Sequence, residues 1–315
     1  MRNLKILIIG LMLSFPGLAT ADASDIPGAA TWYFHFDLEQ MRNADAGKGV
    51  YDWMVEEVFS DLKEDAGVDV AKELDRMTAY SLEGEGPVFL FEGNISQVSK
   101  DRLMTLIAAE GDLSPQKSSG KAYYRFAGTV GDEGSEDGSD GDIEDQLGSL
   151  EDESWISMAL DNKVIVTSKE NQMKAMLERG GRISGSGGHK GALVVLTAET
   201  TLLQAGINSA ALGEASDGES GWDSNILRNT EQVAFLVAAT ANKLAIEAKL
   251  VTTEPDMAQS LASVVRGLIS LTAFSDEMDS EAIAVLQGTK VEADGRNLNI
   301  SLAIDSNLLV STLSE

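Results

Sequence analysis

A strand, a tight turn, a second strand and a helix follow one another between Trp155 and Gly181. This order constrains the fold more than any other stretch of the chain. Trp155, Ser157 and Ala159 alternate with Ile156, Met158 and Leu160, and Asp161-Asn162 separates them from the β-branched run Val164 to Val166. Asp-Asn between two such runs is hairpin chemistry. Ser168 stands where a helix N-cap is expected, with Glu170 in the first turn. Met173, Met176 and Leu177 then recur at helical spacing, and Gly180 ends the helix. Strands joined by so short a turn must run antiparallel, and a helix following each hairpin can cover one face of the sheet.

The same unit is read four times. One copy has strands at Met77 to Leu82 and Val88 to Phe91, around the turn Glu83-Gly84-Glu85-Gly86. Its helix is expected to be capped by Ser99, with Val98 and Leu103 as a hydrophobic staple and Leu106 and Ile107 continuing the stripe. Another pairs Val233 to Thr240 with Leu244 to Leu250, and a helix carries Met257, Leu261, Val264, Val265 and Leu268 on one face. The last pairs Thr289 to Ala293 with Leu298 to Ile304 across Asp294-Gly295, then a helix with Leu308, Leu309 and Leu313. A lead strand precedes each pair of units. In the first, Trp32, Phe34 and Phe36 make a strongly apolar face opposite Tyr33 and His35. Asp37 caps the segment after this strand, and a helix then buries Tyr51, Met54, Val55, Val58 and Leu62. In the second, Ala192 to Leu196 is followed by a short helix near residues 200–205. A further strand, Lys121 to Phe126, precedes the opening unit. The expected fold class is α+β: an antiparallel sheet of repeated hairpin-plus-helix units in two pseudo-repeated halves, 22–185 and 186–315, joined through the glycine-rich 181–191.

Residues 1–21 read as a signal peptide. Arg2 and Lys5 precede an apolar run from Ile6 to Leu13, and Ala19-Thr20-Ala21 is an A-x-A cleavage site. The run is too short and interrupted to span a bilayer, so no transmembrane span is expected in the mature chain. The expected location is the periplasm of a Gram-negative cell, with secretion as the alternative. The chain has no cysteine, so disulfides and a lipid-modified cysteine are excluded. Its net charge of −27 becomes −29 when Arg2 and Lys5 leave with the signal. That charge disfavours nucleic acid and anionic lipid surfaces, both of which select cationic proteins.

The order of elements resembles a group of uncharacterised exported bacterial proteins with two tandem α+β halves. The resemblance rests on the aromatic strand running into Phe36-Asp37-Leu38, on Val88-Phe89-Leu90-Phe91-Glu92-Gly93 leading to a helix, and on Asn162 to Ser168. It covers most of the mature chain and implies a fold, with no active site.

Candidate chemistry is sparse. His35 faces away from Trp32, Phe34 and Phe36, and no general-base partner is legible beside it. His189 lies in the linker. Two histidines and no cysteine argue against a catalytic zinc site. No P-loop or G-x-S-x-G motif is present. Met104, Met173 and Met176 read as core filler. Residues 131–154 hold 11 acidic residues and no Lys or Arg, and read as a disordered insertion. From Glu133 they place Glu133, Ser135, Asp137, Gly138 and Glu144 at EF-hand loop positions, although Asp140 falls where an apolar residue belongs. Calcium is the one cofactor this suggests, and Glu133, Ser135, Asp137 and Glu144 are the candidate ligands. The functional expectation is a non-enzymatic exported protein that binds a protein or envelope component. A carrier of an apolar ligand such as a lipid is the alternative, and a carboxylate-based hydrolase is third.

Replacing residues 131–154 by an Asn-Gly turn is expected to keep the fold, because each doubling of loop length costs only about 0.6 kcal/mol and like-charge repulsion is relieved. Calcium titration followed by Tm checks this. A saturable rise in the intact chain that the deletion lacks would establish an ordered metal site instead.

Overall fold

The computed structural model describes residue 27 and residues 30–60, 63, 67–128, 153–183, 191–199, 230–272 and 280–314. In chain order these form β1 (Ala30–Asp37), α1 (Leu38–Asn43), α2 (Asp45–Met54) running into a wide π turn (Val55–Phe59), and α3 (Val70–Glu73). Then come β2 (Arg76–Leu82), β3 (Gly86–Glu92), α4 (Gln97–Glu110), β4 (Gly111–Ser118), β5 (Lys121–Gly128), β6 (Glu153–Leu160), β7 (Lys163–Thr167) and α5 (Glu170–Glu178). The remainder is β8 (Ala192–Glu199), β9 (Thr230–Thr240), β10 (Lys243–Thr252), α6 (Pro255–Thr272), α7 (Ser280–Gln287), β11 (Lys290–Asp294), β12 (Asn297–Ile304) and α8 (Ser306–Ser314).

The fold is α+β, with one 12-stranded sheet in the order β11-β12-β10-β9-β8-β1-β2-β3-β7-β6-β5-β4. All its pairings are antiparallel. The two lead strands β1 and β8 meet at its centre. Outward from each, the order is a hairpin and then a second hairpin in reverse: β2-β3-β7-β6 on one side, β9-β10-β12-β11 on the other. The first side carries an additional hairpin, β4-β5. The expected boundary at 185/186 lies outside the described residues, and the sheet itself runs across both sides without a break.

Helices cover different faces in different places. On one face, α5 packs Met173, Met176 and Leu177 against Tyr33, Tyr80, Val88, Leu90, Ile165 and Val195. On the other, α6 and α7 set Ala258, Leu261, Ala262, Ile269 and Leu286 on Val233, Leu250, Val291, Leu298 and Ile300. Also on that second face, at the Asp37 end of the strands, Leu38, Met41, Tyr51, Phe59 and Leu309 pack with Phe36, Val194 and Val237.

Several local expectations are corrected. The π turn holds more residues per turn than an α-helix, which carries Phe59 into the core and turns Val58 out to 41% exposure. Leu62 lies outside the described residues. The cap of α4 is Ser96, whose hydroxyl accepts from Ser99 N at 3.1 Å. Ser99 instead donates to Glu73 at 2.8 Å, and Val98, 75% exposed, makes no staple. Lys169 occupies the cap position of α5, and the Ser168 hydroxyl turns to Glu85 O, 3.4 Å away. The acidic insertion ends before 153, because Glu153 and Ser154 belong to β6 and Ser154 is buried; a loop replacement must therefore stop at 152. Strand β4 and helix α7 are additions to the expected order of elements. Residues 1–21, residues 131–152, the linker centre and the 200–205 helix lie outside the described residues.

Both outer strands resist further pairing. Pro115 sits inside β4 and has no N–H to offer a neighbour. Strand β11 is five residues long with Lys290, Glu292 and Asp294 exposed, and Arg266 Nη2 donates to Val291 O at 2.6 Å. Such devices discourage edge-to-edge assembly. Pro115→Val is expected to raise self-association with concentration, measured by light scattering behind size exclusion, while Lys117→Glu on the same strand leaves it unchanged.

Candidate functional site

Residues paired directly across an antiparallel ladder point to the same face. One such row runs Ile156, Val166, Phe89, Ala79, Phe34, Leu196, Phe235 from β6 to β9. Period-two alternation adds Trp32, Phe36 and Phe91, and the Tyr124–Ile156 and Phe126–Ser154 pairs extend the face onto β5. Of the seven described phenylalanines, Phe34, Phe36, Phe89, Phe91, Phe126 and Phe235 lie here, and all six are half-buried; Phe59 is the one in the core. None of Trp32, Phe34, Phe89, Phe91, Phe126 or Phe235 belongs to a core cluster of the described residues.

The reverse side of the same strands is closed. Tyr33 and Leu90, one residue from Phe34 and Phe89, are 1% and 2% exposed beneath α5. The expectation that Trp32, Phe34 and Phe36 form the strongly apolar face of β1 holds for residue type. The fully buried side is nevertheless Tyr33, His35 and Asp37.

The aromatic face has a defined geometry. Strand β2 contributes the small residues Ala79 and Ser81, and Trp32 of β1 reaches across it to Phe89 of β3, ring centroids 6.4 Å apart and tilted at 56°. Phe34 and Phe36 stack at 6.2 Å. At the Phe36 end the face is bounded by the α1–α2 cluster, and beyond β9 by α6. At the opposite strand ends stand Glu83 and Glu85 of the β2–β3 turn, and Glu199, which follows Ala198 at the end of β8 and so points to the α5 side. These three form no ion pair among the described residues. At the Phe36 end Glu92 pairs with Lys163, Asp75 with Arg42 and Glu39 with Arg76 at 3.8 Å, whereas Asp161 of the β6–β7 turn forms no ion pair among the described residues.

Basic side chains elsewhere are held inward by backbone carbonyls. Lys100, buried, donates to Leu160 O and Asp161 O at 2.9 and 2.8 Å. Arg42 donates to Ala71 O and Leu74 O, each at 3.0 Å, and lies over the Tyr51 ring. Lys163 reaches Gly181 O at 2.9 Å and Arg102 reaches Gly67 O at 2.9 Å.

His35 is a packed strand residue. It is 7% exposed, its Nδ1 lies 2.9 Å from Thr78 Oγ1, and its ring stacks with Tyr33. Burial pushes the Tyr80 phenol up, and burial with the Glu170 carboxylate does the same to Tyr123. The Tyr123 hydroxyl and Lys174 pull Glu170 down, and Glu170 raises Lys174. Each shift moves its group's titration further from neutral pH, so none of these four gains acid–base reactivity there. Glu133, Ser135, Asp137, Glu144 and His189 lie outside the described residues. Among those described, no three His, Asp or Glu side chains cluster to hold a metal, and no helix is long and apolar enough to cross a membrane. Met173 and Met176 are core filler, whereas Met104 of α4 is half-buried.

No protein-family model matches the chain, and no curated protein matches it by sequence. Three crystal forms of TP0453, a Treponema protein, are similar in structure. Form III is 11% identical with a TM-score of 0.44, over 95% of this chain and 98% of its own. Form IV is 13% identical with a TM-score of 0.44, over 93% and 96%. Form I is 10% identical with a TM-score of 0.38, over 95% and 98%. The resemblance to exported bacterial proteins with two tandem halves continues to rest on its own motifs.

The two faces of β3 should differ in what they contribute to stability. Leu90→Ala is expected to cost about 2–5 kcal/mol, as for a fully buried leucine. The larger truncation next to it, Phe89→Ala, is expected to cost less than about 2 kcal/mol. Urea unfolding at unchanged m-value measures both.

Proposed function

We propose that this is a non-enzymatic exported protein that binds a protein or envelope component through its aromatic sheet face. The observation that carries the reading is the division of labour between the two faces of β1 and β3. Folding stability calls for one packed face, and α5 supplies it. The largest apolar side chains are kept on the other. An apolar surface of this kind, with nearby elements leaving it half-buried, is the usual mark of an interaction site. Export is supported by the basic, apolar and A-x-A order of residues 1–21, and a periplasmic location is compatible with a cysteine-free, acidic chain.

A second reading has its own support. Phe34, Phe89 and Phe91 are half-buried rather than fully exposed, and Trp32 lies over small residues of β2. Such a sheltered aromatic strip also suits an apolar ligand such as a lipid. A carboxylate-based hydrolase has no comparable support.

Native mass spectrometry of protein purified from its own periplasm separates the readings. The expected result is a retained polypeptide partner, lost in the Phe34→Ser/Phe89→Ser variant. Retention of a small apolar species, lost in the same variant, would establish the carrier reading. Retention unaffected by that variant, with a naphthalene-type dye bound equally by both proteins, would refute a role for this face.

A further inference from the structure

We infer that α1 and α2 act as a clasp across the β1–β8 ladder, which keeps the two sides of the sheet from hinging and holds the aromatic strip as one fixed surface. Two groups of hairpins joined by a single ladder could pivot about it, as packed units do about a hinge. The aromatic strip crosses that ladder, because Phe34 of β1 pairs with Leu196 of β8, and Leu196 with Phe235 of β9. The shape of the strip therefore depends on whether the seam is locked. The lock is a property of the fold and does not depend on what occupies the strip.

Three observations carry it. First, α1 and α2 follow β1 in the chain, yet they pack across the seam. Helix α1 meets β2 on one side and β8 on the other, and α2 meets β9, β10 and α8. Leu38, Met41 and Tyr51 share one buried cluster with Leu193, Leu244 and Leu309, which all lie beyond the seam. Second, α1 is tied by hydrogen bonds to both sides. Arg42 donates to Ala71 O and Leu74 O, each at 3.0 Å, and pairs with Asp75, next to the start of β2. Gln40 donates to Ala192 O at 3.3 Å and accepts from Gly191 N at 3.0 Å, at the start of β8. Third, the joints are tight. A Cβ on Gly47 would come within 2.6 Å of Met41 O, where α2 folds back on α1, and one on Gly49 within 3.1 Å of the Ser306 hydroxyl, where α2 meets α8. Interfaces packed this closely do not deform continuously. The strip touches the clasp directly: Phe36 stacks on Phe34 at 6.2 Å and packs against the same buried cluster.

The test uses the mature full-length chain. The protein has no cysteine, so Asp161→Cys with Asn242→Cys puts one spin label in an exposed turn on each side of the seam. Pulsed electron paramagnetic resonance then reads the distance between them, and a single narrow distribution is expected. Adding Gln40→Ala or Arg42→Ala cuts the clasp from one side and is expected to broaden that distribution. In the same variants without labels, hydrogen exchange at the β1–β8 ladder is expected to quicken about tenfold, as for loss of an ordinary hydrogen bond that restrains the opening. Exchange in β5 and β6, remote from the clasp, is expected to stay as it was.

A broad or two-peaked distribution in the parent chain would show that the seam hinges despite the clasp, and would overturn the inference. Unchanged distance and exchange in both clasp variants, with the fold retained by circular dichroism, would overturn it by showing that the ladder alone locks the seam. An equal rise in exchange at β5 and β6 would mean general destabilisation and overturn it as well. Should either substitution unfold the chain, the distribution in the parent still decides between a locked and a hinged seam.

Discussion

The ladder between β1 and β8 is the interaction on which the rest of the structure depends. Trp32 to Phe36 pair with Ala198 to Val194, and this seam turns two groups of hairpins into one sheet. Without it each side would expose a long apolar edge strand, with Tyr33 and Val195 losing the burial they now have at 1% and 2% exposure. The seam is reinforced from the chain entering β8. Gln40 donates to Asp37 and to Ala192 O, and its carbonyl accepts from Gly191 N at 3.0 Å. Asp37 in turn accepts from Gln40 N and caps α1. One short acidic-polar cluster thereby orients the helix that covers one face and the strand that closes the sheet.

A second constraint is the scarcity of cations. In a chain this acidic, ion pairs cannot satisfy most carboxylates, and exposed pairs contribute little in any case. The basic residues act mainly through geometry instead. Lys100 ties α4 to the β6–β7 turn, Arg42 ties α1 to the carbonyls around α3, and Lys121 reaches the Leu177 carbonyl at the end of α5. A cation at a helix C-terminus meets unpaired carbonyls and the negative end of the helix dipole. The consequence is a framework held by charge-assisted bonds to backbone, around a surface that stays negative.

The first of these constraints shapes the aromatic face. The seam brings Phe34 beside Leu196 and, through β2, opposite Phe89. Three groups of helices pack elsewhere: α5 on the reverse side, α6 and α7 on β9–β12, α1 and α2 at the Asp37 end. Small residues on β2 let Trp32 and Phe89 meet above it, which shelters part of the ring area without a helix. The result is a half-buried aromatic strip.

Much of the architecture is legible in the residues. Period-two runs broken by Asp161-Asn162 or Gly84-bearing turns specify hairpins, and the i, i+3, i+4 spacing of Met173, Met176 and Leu177 specifies a helix with one buried side. These signals are local, so they survive without knowledge of neighbours. Strand β4 is illegible because its sequence, with Gly111 and Pro115, has no alternation; its ladder with β5 holds it in place. The caps at Ser96 and Lys169 escape a sequence reading because several polar residues compete for one position and packing selects among them. The register of the π turn, which exchanges Val58 for Phe59, likewise depends on what lies beneath it. The aromatic face shows the limit most clearly. Alternation in β1 and β3 determines that two faces exist and which residues share each. It cannot determine which face a helix will cover, because that is decided by where α5, α6 and α1–α2 land after strands distant in sequence have paired.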